Sequence, residues 1–521
     1  RRSTSLDSTQ THDQMGIFEF FLQSSTSVSL LGALLLLLLY LSSSVTFSSD
    51  EDRKCPPGPK PLPILGNLLQ LDLRRPYNSL MELSRKHGSV FTVYLGRRKV
   101  VVLAGYKTVK EALVNHAEEF GDRAPTMLVQ HDHHQHGVLW ANGDSWKEMR
   151  RFALASLRDF RMGRKVCEDK IFQECSYLME VLKEWEGEPF DTTQPINFAV
   201  SNIICSMVYG SRFDYDDPEF TSLVDRTITI IQLAGSPSIM MYNLFPGLLK
   251  WISNRREFHR LSASSQQKNL EIITRLKKTL DPQRCRGFID AFLVHMQSLE
   301  ESGVTKSHFH QDNLLYTIMN LFAAGTDTTA ITLRWGLLLM AKHPQIQNQV
   351  QEELSRVVGH RQVLLEDRKN LHFTNAVVHE IQRVANVAPT ALPHVTSQDV
   401  VFQGHFIKKG TVVYPLLAAV LCDEEEWEQP HTFHPAHFLD QEAKFVKPDA
   451  FMPFSAGSSG PRACPGEALA RMELFIFLAS LLQHFSFSPV PGVSPEQLLV
   501  ASAPGSASIP LAHQLCALPR L

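Results

Sequence analysis

The stretch Phe454–Gly466 reads FSAGSSGPRACPG and places a cysteine, Cys464, in a loop rich in glycine and proline. A strongly helical run follows it directly and predicts a long helix over Gly466–His484. The cysteine therefore lies at a helix N-terminus, where unpaired N–H groups and the helix dipole stabilise a thiolate. Arg462 adds a cation nearby. A sulfur held in this way is a nucleophile or a metal ligand, with a buried structural cysteine as the alternative.

The composition is that of a large globular protein. The chain has 521 residues, of which 44% are hydrophobic, so a large core is available. The formal net charge of -3 argues against a general nucleic-acid-binding protein. The eight cysteines contain no closely spaced pair of the kind that binds zinc, and we interpret them as reduced thiols.

Helical periodicity dominates the body of the chain. The longest predicted helix covers Gln311–Lys342, and β-rich residues are confined to a hairpin at Val90–Ala104 and a second patch at Val395–Pro415. Strands and helices do not alternate as they do in a doubly wound sheet. We therefore expect a mainly α fold with minor β, forming a single large domain over residues 64–521.

The N-terminal region predicts a membrane anchor over residues 15–50. Its centre contains six consecutive leucines, Leu34–Leu39, and two basic residues follow the apolar run at positions 53 and 54. This charge distribution predicts that the remainder of the chain lies in the cytosol. A cleaved signal peptide and a buried helix are the alternatives.

Two short segments flank the predicted anchor. Residues 1–14, RRSTSLDSTQTHDQ, are polar and without pattern, and we expect them to be a disordered or non-native leader. Residues 51–63 include PPGPKPLP, whose prolines exclude a helix and predict a stiff hinge between the anchor and the globular body.

The long apolar helix contains the unusual run LFAAGTDTTA, Leu321–Ala330. Gly325 costs about 1 kcal/mol in a helix interior and threonine is a poor helix former, so local stability is sacrificed here. The glycine admits a bulky group close to the backbone, and Asp327 with Thr328 could relay protons to it. The alternative is a packing groove with a satisfied polar patch.

Three further motifs are weaker when taken alone. EIQR places Glu380 and Arg383 one helical turn apart, as a surface ion pair or, in its apolar surroundings, a buried one. WKEMR places Trp146 and Arg150 on one helix face, which is also typical of an amphipathic helix with a solvated charge. The four histidines within His131–His136 favour a solvated or cavity-lining loop over a metal site.

Taken in order, these motifs resemble the cytochrome P-450 haem-thiolate monooxygenases. The chain has Ala-Gly-x-Asp-Thr-Thr at Ala324–Thr329, then Glu-x-x-Arg from Glu380, then Gly-x-Arg-x-Cys-x-Gly from Gly460. The resemblance covers nearly the whole chain after Met15. The stretch Asn142–Phe152, NGDSWKEMRRF, is similar to the vertebrate family 2 branch and its fish members.

The resemblance implies a haem b cofactor and a role for each motif. Cys464 would be the axial iron ligand, and Asp327 and Thr328 would deliver protons to bound dioxygen. Glu380 and Arg383 would support the core behind the haem. The residues expected to bind the haem, including its propionates, are Trp146, Arg150, His394, Arg462, Gly466, Ala324 and Gly325.

The resemblance also implies partners and a location. Electrons would come from NADPH through NADPH-cytochrome reductase, with cytochrome b5 as a second donor, at the endoplasmic reticulum membrane. The substrate would be a lipophilic small molecule. The basic residues expected to face the electron donor are Lys147, Arg150, Arg151, Arg158, Arg161, Arg164 and Lys165. The segments expected to contact the substrate are Pro125–Val138, Ser236–Phe245, Phe322–Thr326, Val387–Leu392 and Ala501–Pro504.

One departure from the family pattern concerns the cysteine loop itself. The pattern has seven residues from Phe to Cys, whereas Phe454 and Cys464 are ten apart, as if three residues were inserted. The extra residues could bulge outward or loosen ligation of the iron. Two alternatives to a monooxygenase therefore stay open: a haem-thiolate isomerase or dehydratase that does not use dioxygen, and a catalytically impaired member of the family.

Overall fold

The computed structural model describes residues 28–37, 54–124, 126–132, 136–159, 164–304, 306–455 and 460–520. The predicted leader and most of the predicted anchor lie outside these ranges. Residues 28–37 are helical and exposed. No helix within the described ranges has both the length and the hydropathy needed to cross a bilayer.

Helices make up most of the described chain, which confirms the mainly α prediction. Gln311–Lys342 forms as predicted, and the last long helix begins at Glu467, with Gly466 at its N-cap. Five helices between residues 193 and 301 were not predicted. In chain order the helices are α1 (Pro76–His87), α2 (Tyr106–Lys110), α3 (Met127–Asp132), α4 (Gly143–Asp159), α5 (Arg164–Glu184), α6 (Thr193–Val208), α7 (Pro218–Ala234), α8 (Pro237–Leu244), α9 (Pro246–Leu249), α10 (Ser253–Lys278), α11 (Phe288–Glu301), α12 (Gln311–Lys342), α13 (Pro344–Val357), α14 (His372–Ala385), α15 (Leu417–Leu421) and α16 (Glu467–His484).

The strands form three small sheets. The largest has the order β1-β2-β8-β5-β3, the second β4-β10-β9, and the third is the pair β6-β7. The β-rich patch predicted at Val395–Pro415 therefore contributes to two different sheets. The strands are β1 (Val90–Leu95), β2 (Arg98–Ala104), β3 (Asp122–Arg123), β4 (Phe190–Asp191), β5 (His394–Val395), β6 (Val400–Phe402), β7 (His405–Ile407), β8 (Val412–Leu416), β9 (Phe485–Pro489) and β10 (Gln514–Pro519).

The five-stranded sheet is buried on both faces. Val100 and Val102 of β2 pack in a cluster with Leu80 of α1, whereas Val101 and Leu103 pack on the opposite face. This explains the run of consecutive β-branched residues in β2, because a strand covered on both sides needs apolar residues at every position. At the far edge, β3 pairs with β5 in antiparallel register. This pairing places two buried polar residues, Arg123 and His394, next to each other.

Helix α12 lies at the centre of the domain and packs chiefly against α6, α14 and α16. Every residue from Thr329 to Ala341 is buried, which accounts for its apolar sequence. A Cβ atom at Gly336 would lie 3.3 Å from the Cδ1 atoms of both Ile381 and Leu478. The glycine therefore permits the close approach of α14 and α16 to this helix.

A buried acid joins α16 to α12. The Glu473 side chain is 1% exposed, is hydrogen-bonded to Thr329, and has one oxygen without a partner among the described residues. Burial raises the pKa of its carboxyl well above the usual range of a glutamate, to about 8. The acid is therefore protonated at neutral pH.

We expect Glu473 to make the stability of the fold depend on pH. Because its folded-state pKa lies above the unfolded value, its contribution to the free energy of unfolding is greatest below about pH 4.5. The contribution falls as the pH rises from 4.5 to about 8, by a few kcal/mol, and is level above that interval. Urea denaturation on either side of the interval should show this slope in the wild type and lose it in Glu473→Gln.

The matched control is Glu352→Gln, which removes an exposed carboxyl from α13. It should keep the slope of the wild type. An equal pH dependence in Glu473→Gln and the wild type would contradict the assignment.

Candidate active site

Cys464 lies in a turn immediately before α16. The Ala463 N–H donates to the Gly460 carbonyl at 3.1 Å, and the Cys464 N–H faces the Phe454 carbonyl at 3.4 Å. The two described ends of the lengthened loop therefore meet. Residues 456–459, where the extra length falls, lie outside the described chain.

Opposing effects act on the Cys464 thiol. Burial raises its pKa, the N–H groups of Gly466 and Glu467 lower it, and so does the charge of Arg150; burial prevails. Metal binding would deprotonate the sulfur, so the thiolate expected from the sequence stays a prediction. The Cys464 side chain is nevertheless exposed, although dense protein surrounds the sulfur.

Arg462 does not serve as the cation next to the sulfur, which corrects the interpretation from sequence. Its Nε donates to the Gly121 carbonyl at 2.8 Å, and its Nη2 donates to the Ala141 carbonyl at 2.9 Å and to Asn142 Oδ1 at 2.6 Å. Its Cζ lies 3.5 Å from the centre of the Trp146 ring. The guanidinium is thus held flat on the indole. Nη1 is buried without a partner among the described residues.

Arg150 is the arginine whose charge lowers the pKa of the Cys464 thiol. Its Nη2 donates to the Ala463 carbonyl at 2.6 Å, next to Cys464 in the chain, and its Cζ lies 5.8 Å from the Trp146 ring centre. Burial lowers the pKa of Arg150, while the cysteine opposes that effect. Helix α4 therefore brings Trp146 and Arg150 together with Arg462, and their binding of the cofactor stays a prediction.

Sequence reasoning missed Arg123, which pairs across β3 and β5 with His394. Arg123 is buried, and its Nη1 donates to the Leu392 carbonyl at 2.9 Å. Burial and the neighbouring Arg150 lower its pKa to about 9. In the sequence Arg123 directly follows Asp122, and nothing local distinguishes it. Its position in the site depends on the pairing of two distant strands.

His394 is a neutral imidazole in this environment. Its Nδ1 lies 2.6 Å from the Phe120 carbonyl and therefore donates to it. Burial and the charge of Arg123 hold its pKa well below the usual range. Its Nε2 is buried with no partner among the described residues.

The run predicted to form an oxygen-binding segment lies on α12. Ala324 and Thr328 are exposed one helical turn apart, and Thr328 Oγ1 donates to the Ala324 carbonyl at 2.8 Å. The space beside Gly325 is occupied by Ile204 of α6, since a Cβ atom there would lie 2.5 Å from Ile204 Cδ1. The glycine thus serves helix packing. Its contact with the cofactor stays a prediction.

Asp327 is a buried acid with a pKa suited to proton exchange. Its side chain is 9% exposed, and burial raises its pKa to about 6, against the opposing charge of Arg334. Near neutral pH such a carboxyl both gains and loses a proton readily. The neighbouring Thr328 hydroxyl is exposed.

Glu380 and Arg383 form a fully buried ion pair, which resolves the alternatives left by the sequence. Two guanidinium nitrogens each lie 2.7 Å from a Glu380 oxygen. The remaining N–H groups donate to the carbonyls of Leu421, Pro430 and Thr432. A bidentate pair with every donor satisfied can be stable in a core.

Comparison with known proteins agrees with this arrangement. The family model "Cytochrome P450" matches residues 56–517. The chain is 59% identical to cytochrome P450 2K4 and 58% identical to cytochrome P450 2K1 of Oncorhynchus mykiss, over 97% of this chain and 100% of each relative. It is 45% identical to cytochrome P450 2F2 of Rattus norvegicus, over 93% of this chain and 98% of the relative.

The chain belongs to the cytochrome P450 family. Its relatives lie in family 2, as the motifs indicated. Members of this family are monooxygenases that carry a haem held by a cysteine thiolate.

The polar groups of the site fit the two carboxylates of a cytochrome P450 haem. Trp146 Nε1, Arg462 Nη1 and His394 Nε2 are buried and have no partner among the described residues. The hydrogen bonds of Arg123, Arg150 and Arg462 go to carbonyl and amide oxygens rather than to carboxylates. A cluster of buried cations with spare donors is suited to an anionic group.

We expect the ion pair behind this site to be essential for stability. Glu380→Gln leaves the Arg383 charge buried without its counter-charge, so the free energy of unfolding should fall by about 3–5 kcal/mol. Urea denaturation followed by circular dichroism measures the change. The control is Glu257→Gln, which breaks an exposed pair with Arg260 at the same spacing of three residues. That variant should unfold like the wild type, and equal unfolding of all three proteins would refute the expectation.

Proposed function

We propose that this cytochrome P450 is a membrane-associated monooxygenase that inserts one atom of dioxygen into a lipophilic organic substrate. The electrons come from NADPH through a partner reductase. One observation carries the proposal: spare buried donors and unneutralised arginines stand beside a cysteine loop at the start of α16. This combination suits a haem with two carboxylates and a thiolate ligand.

Each group of the site has a definite task in this proposal. Cys464 holds the iron, and the N–H groups of Gly466 and Glu467 tune the sulfur through hydrogen bonds. Arg123, Arg462 and Trp146 Nε1 hold the cofactor carboxylates. The bound haem supplies the redox chemistry that activates dioxygen.

His394 requires an additional proton for this task. With Nδ1–H committed to the Phe120 carbonyl, Nε2 can donate to a carboxylate only when the ring is protonated. The negative charge of the cofactor would favour that proton and offset the effect of the neighbouring arginines.

Protons for oxygen activation come from α12. Asp327, whose pKa is about 6, takes up protons near neutral pH. The Thr328 hydroxyl donates a hydrogen bond to the helix carbonyl of Ala324. It can rotate away from this carbonyl to pass a proton toward the bound cofactor. This acid and alcohol favour the use of dioxygen over isomerase or dehydratase chemistry.

The contacts among the predicted substrate segments support a lipophilic substrate. Leu128 N–H donates to Asn243 Oδ1 at 3.0 Å, which joins the first segment to the second. Leu128, Ile239 and Tyr242 belong to one apolar cluster. Apolar walls with few polar groups select for oily molecules such as fatty acids, steroids and foreign compounds.

An exposed apolar face supports association with the endoplasmic reticulum membrane. A Cβ atom at Gly96 would lie 3.1 Å from the Phe245 ring and 3.6 Å from the Ile64 carbonyl, so the segments around residues 64 and 245 adjoin. Exposed apolar residues near both suit contact with lipid. These residues are Leu62, Ile64, Leu65, Leu69, Leu248 and Trp251.

The basic face of α4 supports docking of an acidic electron donor. Lys147, Arg151 and Arg158 are exposed on this helix. Cationic groups next to the cysteine loop would accelerate association with NADPH-cytochrome reductase and cytochrome b5 in a salt-dependent manner. Arg161, Arg164 and Lys165 are expected to extend this face and lie outside the described side chains.

Cys464→Ala should abolish the carbon monoxide difference spectrum of a thiolate-ligated haem, because alanine offers no ligand. Cys285→Ala, which removes another free cysteine, should keep the spectrum.

With purified reductase, NADPH-dependent oxygenation should occur in the wild type. Oxygenation reduced about tenfold or more in Asp327→Asn is the expected result of losing a general acid. An unaltered spectrum in Cys464→Ala would end the proposal, and turnover of peroxides without NADPH would favour the isomerase.

Removal of the three extra loop residues tests whether the loop impairs the enzyme. Deleting Gly457–Ser459 gives FSAGPRACPG, the spacing of the family. Because the Phe454 carbonyl already faces the Cys464 N–H, we expect both proteins to bind one haem and give the same carbon monoxide spectrum. A spectrum that appears only after the deletion would support the catalytically impaired alternative.

A further inference from the structure

Asn142 is the residue at which the supports of the cofactor site meet. It directly precedes α4, which carries Trp146 and Arg150. Its side-chain Oδ1 accepts from the Arg123 N–H at 2.8 Å and from Arg462 Nη2 at 2.6 Å. Its Nδ2 donates to the Arg123 carbonyl at 3.0 Å. A single amide thus joins β3, the cysteine loop and α4.

The contact with Arg123 completes the edge of a sheet. β3 is the last strand in the order β1-β2-β8-β5-β3, so one side of it has no neighbouring strand among the described residues. Asn142 binds both the N–H and the carbonyl of Arg123, as a neighbouring strand would. These backbone groups therefore point away from His394, which makes Arg123 and His394 a non-hydrogen-bonded pair with closely spaced side chains.

The contact with Arg462 determines which guanidinium nitrogen is spare. Asn142 Oδ1 and the Ala141 carbonyl occupy Nη2, and the Gly121 carbonyl occupies Nε. Nη1 is left over, buried and without a partner in the described part of the chain. The asparagine thereby fixes the rotation of the guanidinium on the Trp146 ring.

We infer that Asn142 is a positioning residue for the cofactor carboxylate site, acting through the backbone of Arg123 and the guanidinium of Arg462. The inference rests on the proposed binding of the haem carboxylates by these arginines. Only an amide meets all three contacts, because aspartate lacks the donor and leucine lacks every polar atom.

The first test measures how fast the holoenzyme loses haem to apomyoglobin. Asn142→Ala frees Nη2 of Arg462 and the edge of β3, so release should be about ten- to hundredfold faster, the change expected for loss of a charge-assisted hydrogen bond. Asn202→Ala is a matched control. Asn202 binds the N–H and carbonyl of Phe213 at 2.9 and 2.8 Å in the same manner, but within α6. Its rate of haem release should match that of the wild type when both proteins are measured at urea concentrations that leave the same fraction folded.

The second test uses a variant of nearly the same size, which guards against misfolding. Asn142→Asp keeps both acceptor contacts, loses the donor to Arg123, and adds a negative charge between two arginines that bind the cofactor. The haem reduction potential should become more negative and haem release should accelerate, because added negative charge stabilises the ferric state and competes with the carboxylates. A purely structural role would leave the potential unchanged.

The outcomes separate the inference from the proposed function. A wild type without the thiolate-type carbon monoxide spectrum overturns the function and the inference with it. A wild type with that spectrum overturns the inference alone if Asn142→Ala releases haem no faster than Asn202→Ala, or if Asn142→Asp has the potential of the wild type. Faster release together with a more negative potential supports the inference.

Discussion

The site depends on positive charge that the protein does not itself neutralise. Arg123, Arg150 and Arg462 gather around Trp146 and the cysteine loop, and burial lowers the pKa of all three. Holding several guanidinium groups together in a core is costly unless an anion joins them. An acidic ligand would neutralise these arginines. Its binding would therefore increase the stability of the folded state as well as support activity.

Helix α16 connects the cysteine loop with the rest of the domain. Its first turn supplies N–H groups to Cys464, and Glu473 further along is bonded to Thr329 of α12. Thr329 directly follows Asp327 and Thr328, which we propose to relay protons. The cysteine and this pair are thus attached to two helices that share a buried polar contact.

Local spacing predicted part of this arrangement. Glu380 and Arg383 are one helical turn apart, and the cysteine loop precedes a strongly helical run, so both features follow from neighbouring residues. Helix α6 escaped prediction because its residues are buried on all sides from Ile196 to Val208, which removes any amphipathic pattern. The roles of Arg123 and Asn142 escaped it because they arise where distant segments meet. Arg462 was misplaced for the same reason: its partners come from segments more than 300 residues away.

The bonds of Arg383 bear on the order in which the domain assembles. One guanidinium on α14 holds carbonyls 38, 47 and 49 residues further along the chain. The intervening segment contains β5 to β8 and α15, and Pro430 and Thr432 lie beyond α15 in a stretch of turns. The stretch beyond α15 therefore depends on α14 for its native position, because Arg383 binds its carbonyls. A nascent chain arrested before this contact forms would expose the stretch to proteases and chaperones.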